Sequence, residues 1–261
     1  MSIINFYNSH YKEVIVNKPD NYYDWSLIDP PYGIGESNKK RSNFRVKQKN
    51  GSVLRVKENC YTPKNWDKKP FSKEDFYNIS RVSQNVIIFG ANYYELEMLG
   101  FINTKPPRRN EYDEFLKNRP YGFIIWDKMN RTNDFSDCEI IYVSKGIKSR
   151  VVYYMWNGMF QGEVVSYDYN KANRQIGNKE KNEVRRHPTQ KPVIFYRWLI
   201  IELLKEGEKV FDPYGGSLNS AIACDIEGFD LDICEIDKEY FDPGVKAFDW
   251  HKRQQVINFK N

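Results

Sequence analysis

Lys209-Val-Phe-Asp-Pro-Tyr-Gly-Gly-Ser-Leu-Asn-Ser220 reads as a strand that runs into a glycine turn and then a helix. Lys209 to Phe211 supplies the strand, and the helix is expected from about Ser217 to Ile226. Gly215 and Gly216 carry no Cβ, so the backbone can pass close to a ligand at the helix N-terminus. Glu235 follows Gly216 by nineteen residues, at the end of the next expected strand, Leu231 to Cys234. An acid in that place can accept hydrogen bonds from ribose hydroxyls. The segment therefore reads as a nucleotide-type binding turn in a parallel sheet. It lacks the lysine of the phosphate loop G-x-x-x-x-G-K-[ST].

Outward from this unit the chain alternates strand-like and helix-like stretches. Trp25 to Ile28, Val86 to Phe89, Phe123 to Trp126, Ile140 to Val143 and Val151 to Met155 have strand character. Ser72, with Asp75 three residues on, starts a helix. Lys191 to Lys205 repeats apolar residues at helical spacing and is closed by Gly207, and a last helix is expected from about Pro243 to Val256. Alternation of this kind implies an α/β fold: a Rossmann-like, mainly parallel sheet with helices on both faces.

The strand at Trp25 to Ile28 ends in Asp29-Pro30-Pro31-Tyr32-Gly33. A residue before proline is pushed to extended geometry, and neither proline has an amide hydrogen. The result is a rigid strand end that offers a carboxylate, a free carbonyl and an aromatic ring. The plain alternative is a proline turn closed by Gly33.

Composition narrows the class. With 261 residues, 40% of them hydrophobic and 16% aromatic, the chain can bury a sizeable core and is not generally disordered. No apolar run approaches the ~18 residues of a membrane span. The N-terminus has no basic and apolar leader pattern, so a cytoplasmic location is expected. Cys60, Cys138, Cys224 and Cys234 lack metal-ligand spacing, and no metal is expected. Net charge is +5, which suits a polyanionic partner. Eight basic residues against two acids fall between Glu36 and Glu58. Further basic stretches surround Lys105 to Arg119 and Lys171 to Lys191. These read as loop insertions, at about 34–70, 103–120 and 146–186, in a single domain spanning 1–261.

Asp29-Pro-Pro-Tyr32, His187-Pro-Thr-Gln-Lys-Pro192 and Phe211-Asp-Pro-Tyr-Gly-Gly-Ser217, in that order, resemble the DNA amino-methyltransferases that use S-adenosylmethionine. The catalytic motif precedes the cofactor motif, as in their beta class, which is a circular permutation of the methyltransferase fold. The resemblance runs from about Ile4 to Tyr240. Val86 to Tyr94, Trp126-Asp-Lys128 and Cys138 to Gly146 look like the family's intermediate motifs. It departs from the family at Leu218, where a glycine is usual, and at Ser9-His10, where Gly-Asp is usual.

The resemblance implies roles. Asp29 and the Pro30 carbonyl would each accept a hydrogen of the target amino group, with Pro31 fixing the turn and Tyr32 stacking on a base flipped out of the duplex. S-adenosylmethionine would meet His10, Asp29, Thr189, Gln190, Lys191, Phe211, Asp212, Tyr214, Gly215, Gly216, Ser217 and Glu235, with Asp212 and the glycine turn at its methionine end and Glu235 on the ribose. Leu218 is expected to turn into the helix–sheet core without a special dihedral angle. Double-stranded DNA would be held by Lys39, Lys40, Arg41, Arg45, Arg108, Arg109, Arg185 and Arg186, with 146–186 as the candidate target-recognition region. A homodimer and a cognate restriction enzyme are partners the resemblance leaves open. Aspartate at the first motif position points to adenine. Cytosine amino (N4) methylation is the alternative, and a catalytically weak DNA-binding relative is the reading from another class.

Overall fold

The computed structural model describes residues 2–35, 37, 44–47, 51, 53–56, 64–94, 121–131, 136–157, 160–162, 165–173 and 182–258. The N-terminal part holds β1 (Ile4–Tyr7), α1 (Tyr11–Ile15), β2 (Tyr23–Ile28), the hairpin strands β3 (Phe44–Lys47) and β4 (Val53–Val56), α2 (Lys73–Val82) and β5 (Ser83–Ile88). The middle holds β6 (Gly122–Asp127), β7 (Cys138–Val143), β8 (Arg150–Tyr153), β9 (Trp156–Asn157), β10 (Phe160–Gln161) and the short α3 (Tyr169–Ala172). Then follow α4 (Val193–Leu203), β11 (Val210–Asp212), α5 (Asn219–Glu227), β12 (Leu231–Cys234) and α6 (Lys238–Asn258).

Eight strands form one sheet in the order β1-β12-β11-β2-β5-β7-β6-β8. All run parallel except β7, which is antiparallel to both β5 and β6. Side chains alternate between two cores, as a sheet buried on both faces requires. On β5, Ile87 and Phe89 meet Phe195 and Leu199 of α4, while Val86 and Ile88 join Tyr11 of α1 and Ile79 of α2 on the other face. The pairing of β11 with β2 sets the site: the two motif-bearing strands, far apart in sequence, end side by side. The α/β expectation with a mainly parallel sheet holds. Among the described residues no helix is long and apolar enough to cross a membrane.

Several boundaries differ from expectation for identifiable reasons. Ser72 does cap α2, its Oγ accepting from the Asp75 N–H at 3.1 Å. α4 starts at Val193 rather than Lys191, because Pro192 holds Lys191 out of helical geometry. That leaves the Lys191 side chain to the site. α6 starts at Lys238, ahead of Pro243, because Asp237 caps it: the Asp237 Oδ1 takes the Glu239 N–H at 3.0 Å. β1 and α1 were not expected as elements. Part of the first basic stretch, expected as loop, forms the antiparallel hairpin β3–β4. Its first strand, Phe44-Arg-Val-Lys47, alternates apolar and basic residues, the strand period, and its second, Val53-Leu-Arg-Val56, is mostly apolar, beneath the charge count.

Candidate active site

A cavity of about 360 Å³ opens at the carboxyl ends of β2, β11 and β12. This is where open parallel sheets bind ligands. Asp29, Pro30, Pro31 and Tyr32 line it, together with His10, Thr189, Gln190 and Lys191. Tyr214, Gly215, Gly216, Ser217 and Glu235 complete the expected set in its wall. Thus both motifs face one space.

Phe211 and Asp212 are exceptions, and the expectation for them is corrected. Phe211 is fully buried and stacks on Tyr23, with ring centroids 4.8 Å apart. Asp212 turns behind the wall, its carboxylate taking the Ser220 hydroxyl at 2.5 Å and the Tyr214 N–H at 3.0 Å. Burial pushes its carboxyl up to about 7. Both hold the turn from beneath.

The turn itself is shaped by Leu218, which adopts φ 59° and ψ 26° and is fully buried. Left-handed geometry is costly for a branched residue, so the expectation of an ordinary dihedral was wrong. The orientation was right: the side chain belongs to the core formed with α5 and α6. Two glycines make its slot. A Cβ on Gly215 would lie 2.6 Å from Leu218 Cδ2, and one on Gly244 would lie 2.6 Å from Leu218 Cγ. Leucine therefore fills space that Gly244 of α6 leaves open.

Glu235 stands at the other side of the turn. Its two oxygens accept the Gly216 and Asp237 N–H groups, each at 2.7 Å. Burial pushes its carboxyl up to about 7 despite those bonds. His10 caps α1, Nδ1 accepting from the Lys12 N–H at 3.2 Å, and its ring lies 4.7 Å from that of Tyr11.

The Asp29 end is a buried ion cluster. Lys191 Nζ lies 2.7 Å from Asp29 Oδ1 and 3.2 Å from Glu139 Oε1. Lys128 Nζ holds the other oxygen of Glu139 at 2.7 Å. The Tyr32 hydroxyl sits 2.9 Å from Asp29 Oδ1 and 2.8 Å from Glu139 Oε1. Burial raises the Asp29 carboxyl, opposed by the charge of Lys191. Glu139 is also buried, but Lys128 and Lys191 bring it down to about 2. Lys191 was expected as a cofactor contact; it lines the cavity, and its ammonium pairs with two carboxylates. Glu139 and Lys128 went unnoticed as individual residues, although both lie in the segments read as intermediate motifs.

Tyr32 is less free than its expected stacking role requires. One face lies on Tyr93, with centroids 4.9 Å apart and planes within 10°. Its edge presses on Gly90, where an added Cβ would come within 2.6 Å of the ring.

Residues 64–67 form a strap that lines the cavity. Lys64 pairs with Asp237 at 2.9 Å, and Asp67 accepts the Gly33 N–H at 2.8 Å. Trp66 of this strap stacks on His187 at 5.1 Å, and Tyr240 meets the same imidazole edge-on at 4.3 Å. Burial, aided by Lys191, holds His187 down to about 3, so the ring is neutral. Trp66 gave no sequence signal beyond lying in an insertion.

Of the expected DNA contacts, Lys39, Lys40, Arg41, Arg108 and Arg109 lie outside the described residues. Arg45 is on β3, opposite Arg55. Arg185 and Arg186 are half-buried and tied to the fold: Arg185 lies over the Trp156 ring at 5.0 Å, and Arg186 donates to Asn219 Oδ1 at 2.8 Å.

A family model described as DNA methylase matches residues 23–246. No curated protein matches the chain. Among solved structures, the M1.HpyAVI–SAM complex is 18% identical, with 94% of this chain and 99% of that chain covered at a TM-score of 0.49. A putative DNA modification methylase from Thermus thermophilus, TTHA0409, complexed with S-adenosyl-L-methionine, is 12% identical, with coverages of 96% and 94% and a TM-score of 0.47. The cytosine-N4-specific PvuII DNA methyltransferase is 12% identical, with coverages of 97% and 93% and a TM-score of 0.46.

Proposed function

Because this chain belongs to the DNA methylase family, whose methyl donor is S-adenosylmethionine, we propose that it methylates the exocyclic amino group of adenine in double-stranded DNA. The observation that carries the reading is that Asp29 and the Gly215–Gly216 turn line one cavity.

The residues present fit the cofactor. Glu235 offers carboxylate oxygens to ribose hydroxyls, the glycine turn allows close backbone approach, and Tyr11 and Tyr214 supply aromatic wall. S-adenosylmethionine, when bound, supplies an electrophilic methyl group on a sulfonium. The remaining work falls to the chain. An exocyclic amino group is a weak nucleophile because its lone pair is delocalised into the ring. Asp29 and the Pro30 carbonyl each accept one amino hydrogen, which draws the nitrogen towards tetrahedral geometry and localises the pair. Acceleration then comes from positioning and fixed charge. A base must leave the duplex to reach this cavity. It meets only the face of Tyr32 that Tyr93 leaves uncovered.

Aspartate at position 29 supports adenine over cytosine. Incubation of the protein with cofactor and duplex DNA, followed by nucleoside analysis, tests the reading. N6-methyladenine is expected. N4-methylcytosine would overturn the base assignment, and no methylated nucleoside together with no cofactor binding by calorimetry would overturn the activity.

A further inference from the structure

Asp29 is a largely buried carboxylate at the cavity wall that must nevertheless act as an acceptor. An ionised carboxylate in such a place persists only with compensating charge and hydrogen bonds. The compensation comes from Lys191, whose side chain is 4% exposed, against 16% for Asp29 and 5% for Glu139. Lys128, Glu139, Lys191 and Asp29 alternate in sign and sum to zero. The Tyr32 hydroxyl has one hydrogen and two carboxylates within reach, so it can serve only one at a time. Lys191, with three hydrogens, touches both carboxylates and also the Tyr32 oxygen at 3.1 Å. Whichever carboxylate Tyr32 leaves is still held.

The bonds are also directional. Lys191 and Tyr32 both fall on Oδ1 of Asp29. We propose that Lys191, kept charged by Glu139, is a positioning residue that maintains Asp29 as a carboxylate and turns Oδ2 towards the substrate amino group. This rests on the adenine-methylation reading but assigns Lys191 and Glu139 work on Asp29, not on the cofactor.

Other charged and titratable groups face this cluster. Tyr94 and Tyr196 are neutral phenols held high by burial and by the Asp29 charge. Asp212 and Asp29 raise each other's cost of ionising through their like charge. His187 is neutral and adds no cation. Lys191 is therefore the cation in direct contact with Asp29 among the described residues.

The test has an arm without catalysis. Carboxyl-carbon NMR of the free protein should show Asp29 titrating at least about one pH unit higher in Lys191→Met than in wild type, a tenfold change in proton affinity. Lys191→Gln, which keeps a hydrogen-bond donor without the charge, should raise it likewise, and this variant serves if Lys191→Met does not fold. In single-turnover methyl transfer at saturating cofactor, Lys191→Met should lose about 30-fold or more at neutral pH and recover part of it as pH rises. Lys191→Arg should keep the wild-type profile shape, and cofactor affinity in Lys191→Met should change less than about threefold. An unmoved Asp29 titration, or a loss equal at every pH, overturns the proposal. Lost cofactor affinity with an unchanged single-turnover rate returns Lys191 to the cofactor. A wild type that methylates nothing while the NMR shifts appear as expected defeats the adenine-methylation reading and leaves the Lys191–Asp29 coupling standing.

Discussion

β2 and β11 pair side by side, and both run into Asp-Pro: Asp29-Pro30 after Ile28, and Asp212-Pro213 after Phe211. Asp29 lines the cavity and is held by charged partners from other elements, Lys191 above all. Asp212 lies behind the wall and is held by its own neighbours, the Tyr214 amide and the Ser220 hydroxyl. One carboxylate is balanced by a cation and kept for an incoming group; the other is used up making a turn. The same dipeptide at the same end of adjacent strands thus serves chemistry in one case and architecture in the other. What separates them is the partner set, which the local sequence does not contain.

The comparison breaks first at Asp29. Asp29→Ala should lower kcat by about 100-fold or more while leaving cofactor affinity nearly unchanged, because the lost bond acts in the transition state. Retention of more than about a tenth of the wild-type kcat, a loss under ~1.4 kcal/mol, would sink the assignment. Asp212→Ala should do the reverse. It strands the Ser220 hydroxyl and an amide, so stability should fall by about 2–3 kcal/mol, read as a lower Tm. Asp212→Asn, which keeps an acceptor, should cost less. If Asp212→Ala kept its Tm and lost only methyl transfer, the architectural role would be wrong.

Leu218 sharpens the contrast on the β11 side. Leu218→Gly removes a fully buried side chain, a cavity cost of about 2–5 kcal/mol, but relieves the left-handed strain of about 1–2 kcal/mol. A net loss of about 0–4 kcal/mol is expected in chemical denaturation. Gly244→Ala, aimed at the same slot from α6, should destabilise by overpacking. A Leu218→Gly variant more stable than wild type would show that strain outweighs packing there.

Legibility in the sequence followed locality. Both strand ends were readable because proline and glycine punctuate short segments and restrict the backbone directly. Leu218 was half readable: its burial followed from the helix behind it, but its left-handed dihedral did not, and the slot its side chain fills is left by Gly244, in another helix. Glu139 and Lys128 were hidden because a lone charge on a strand reads as a solvated face. They join the Asp29 cluster, by way of Lys191 and Tyr32, through the order β2-β5-β7-β6, in which β7 runs against its neighbours. Lys191 was seen, but its pairing with Asp29 was not, since that contact joins segments from opposite halves of the chain. The β3–β4 hairpin was masked by its charge, although Phe44-Arg-Val-Lys47 alternates apolar and basic residues.

The finest separation lies between two carboxylates that burial holds at about 7, Asp212 and Glu235. Only Glu235 lines the cavity. Ribose hydroxyls that donate to Glu235 favour its charged form, so cofactor binding should pull its pKa down and release protons near neutrality. By linkage, affinity should then rise with pH through about 7, by roughly three- to tenfold between pH 6 and 8. The same raised carboxyls act on stability with the opposite sign. Below the unfolded value near 4.5 both states are protonated; between there and about 7 only the unfolded chain ionises, so stability falls with rising pH and levels off above. Calorimetric titration with S-adenosylmethionine across this range separates the two groups, with Glu235→Gln and Asp212→Asn as controls for the cofactor's own titration. Glu235→Gln should flatten the dependence and Asp212→Asn should keep it. A dependence that survives Glu235→Gln unchanged would mean that Glu235, like Asp212, only builds the turn.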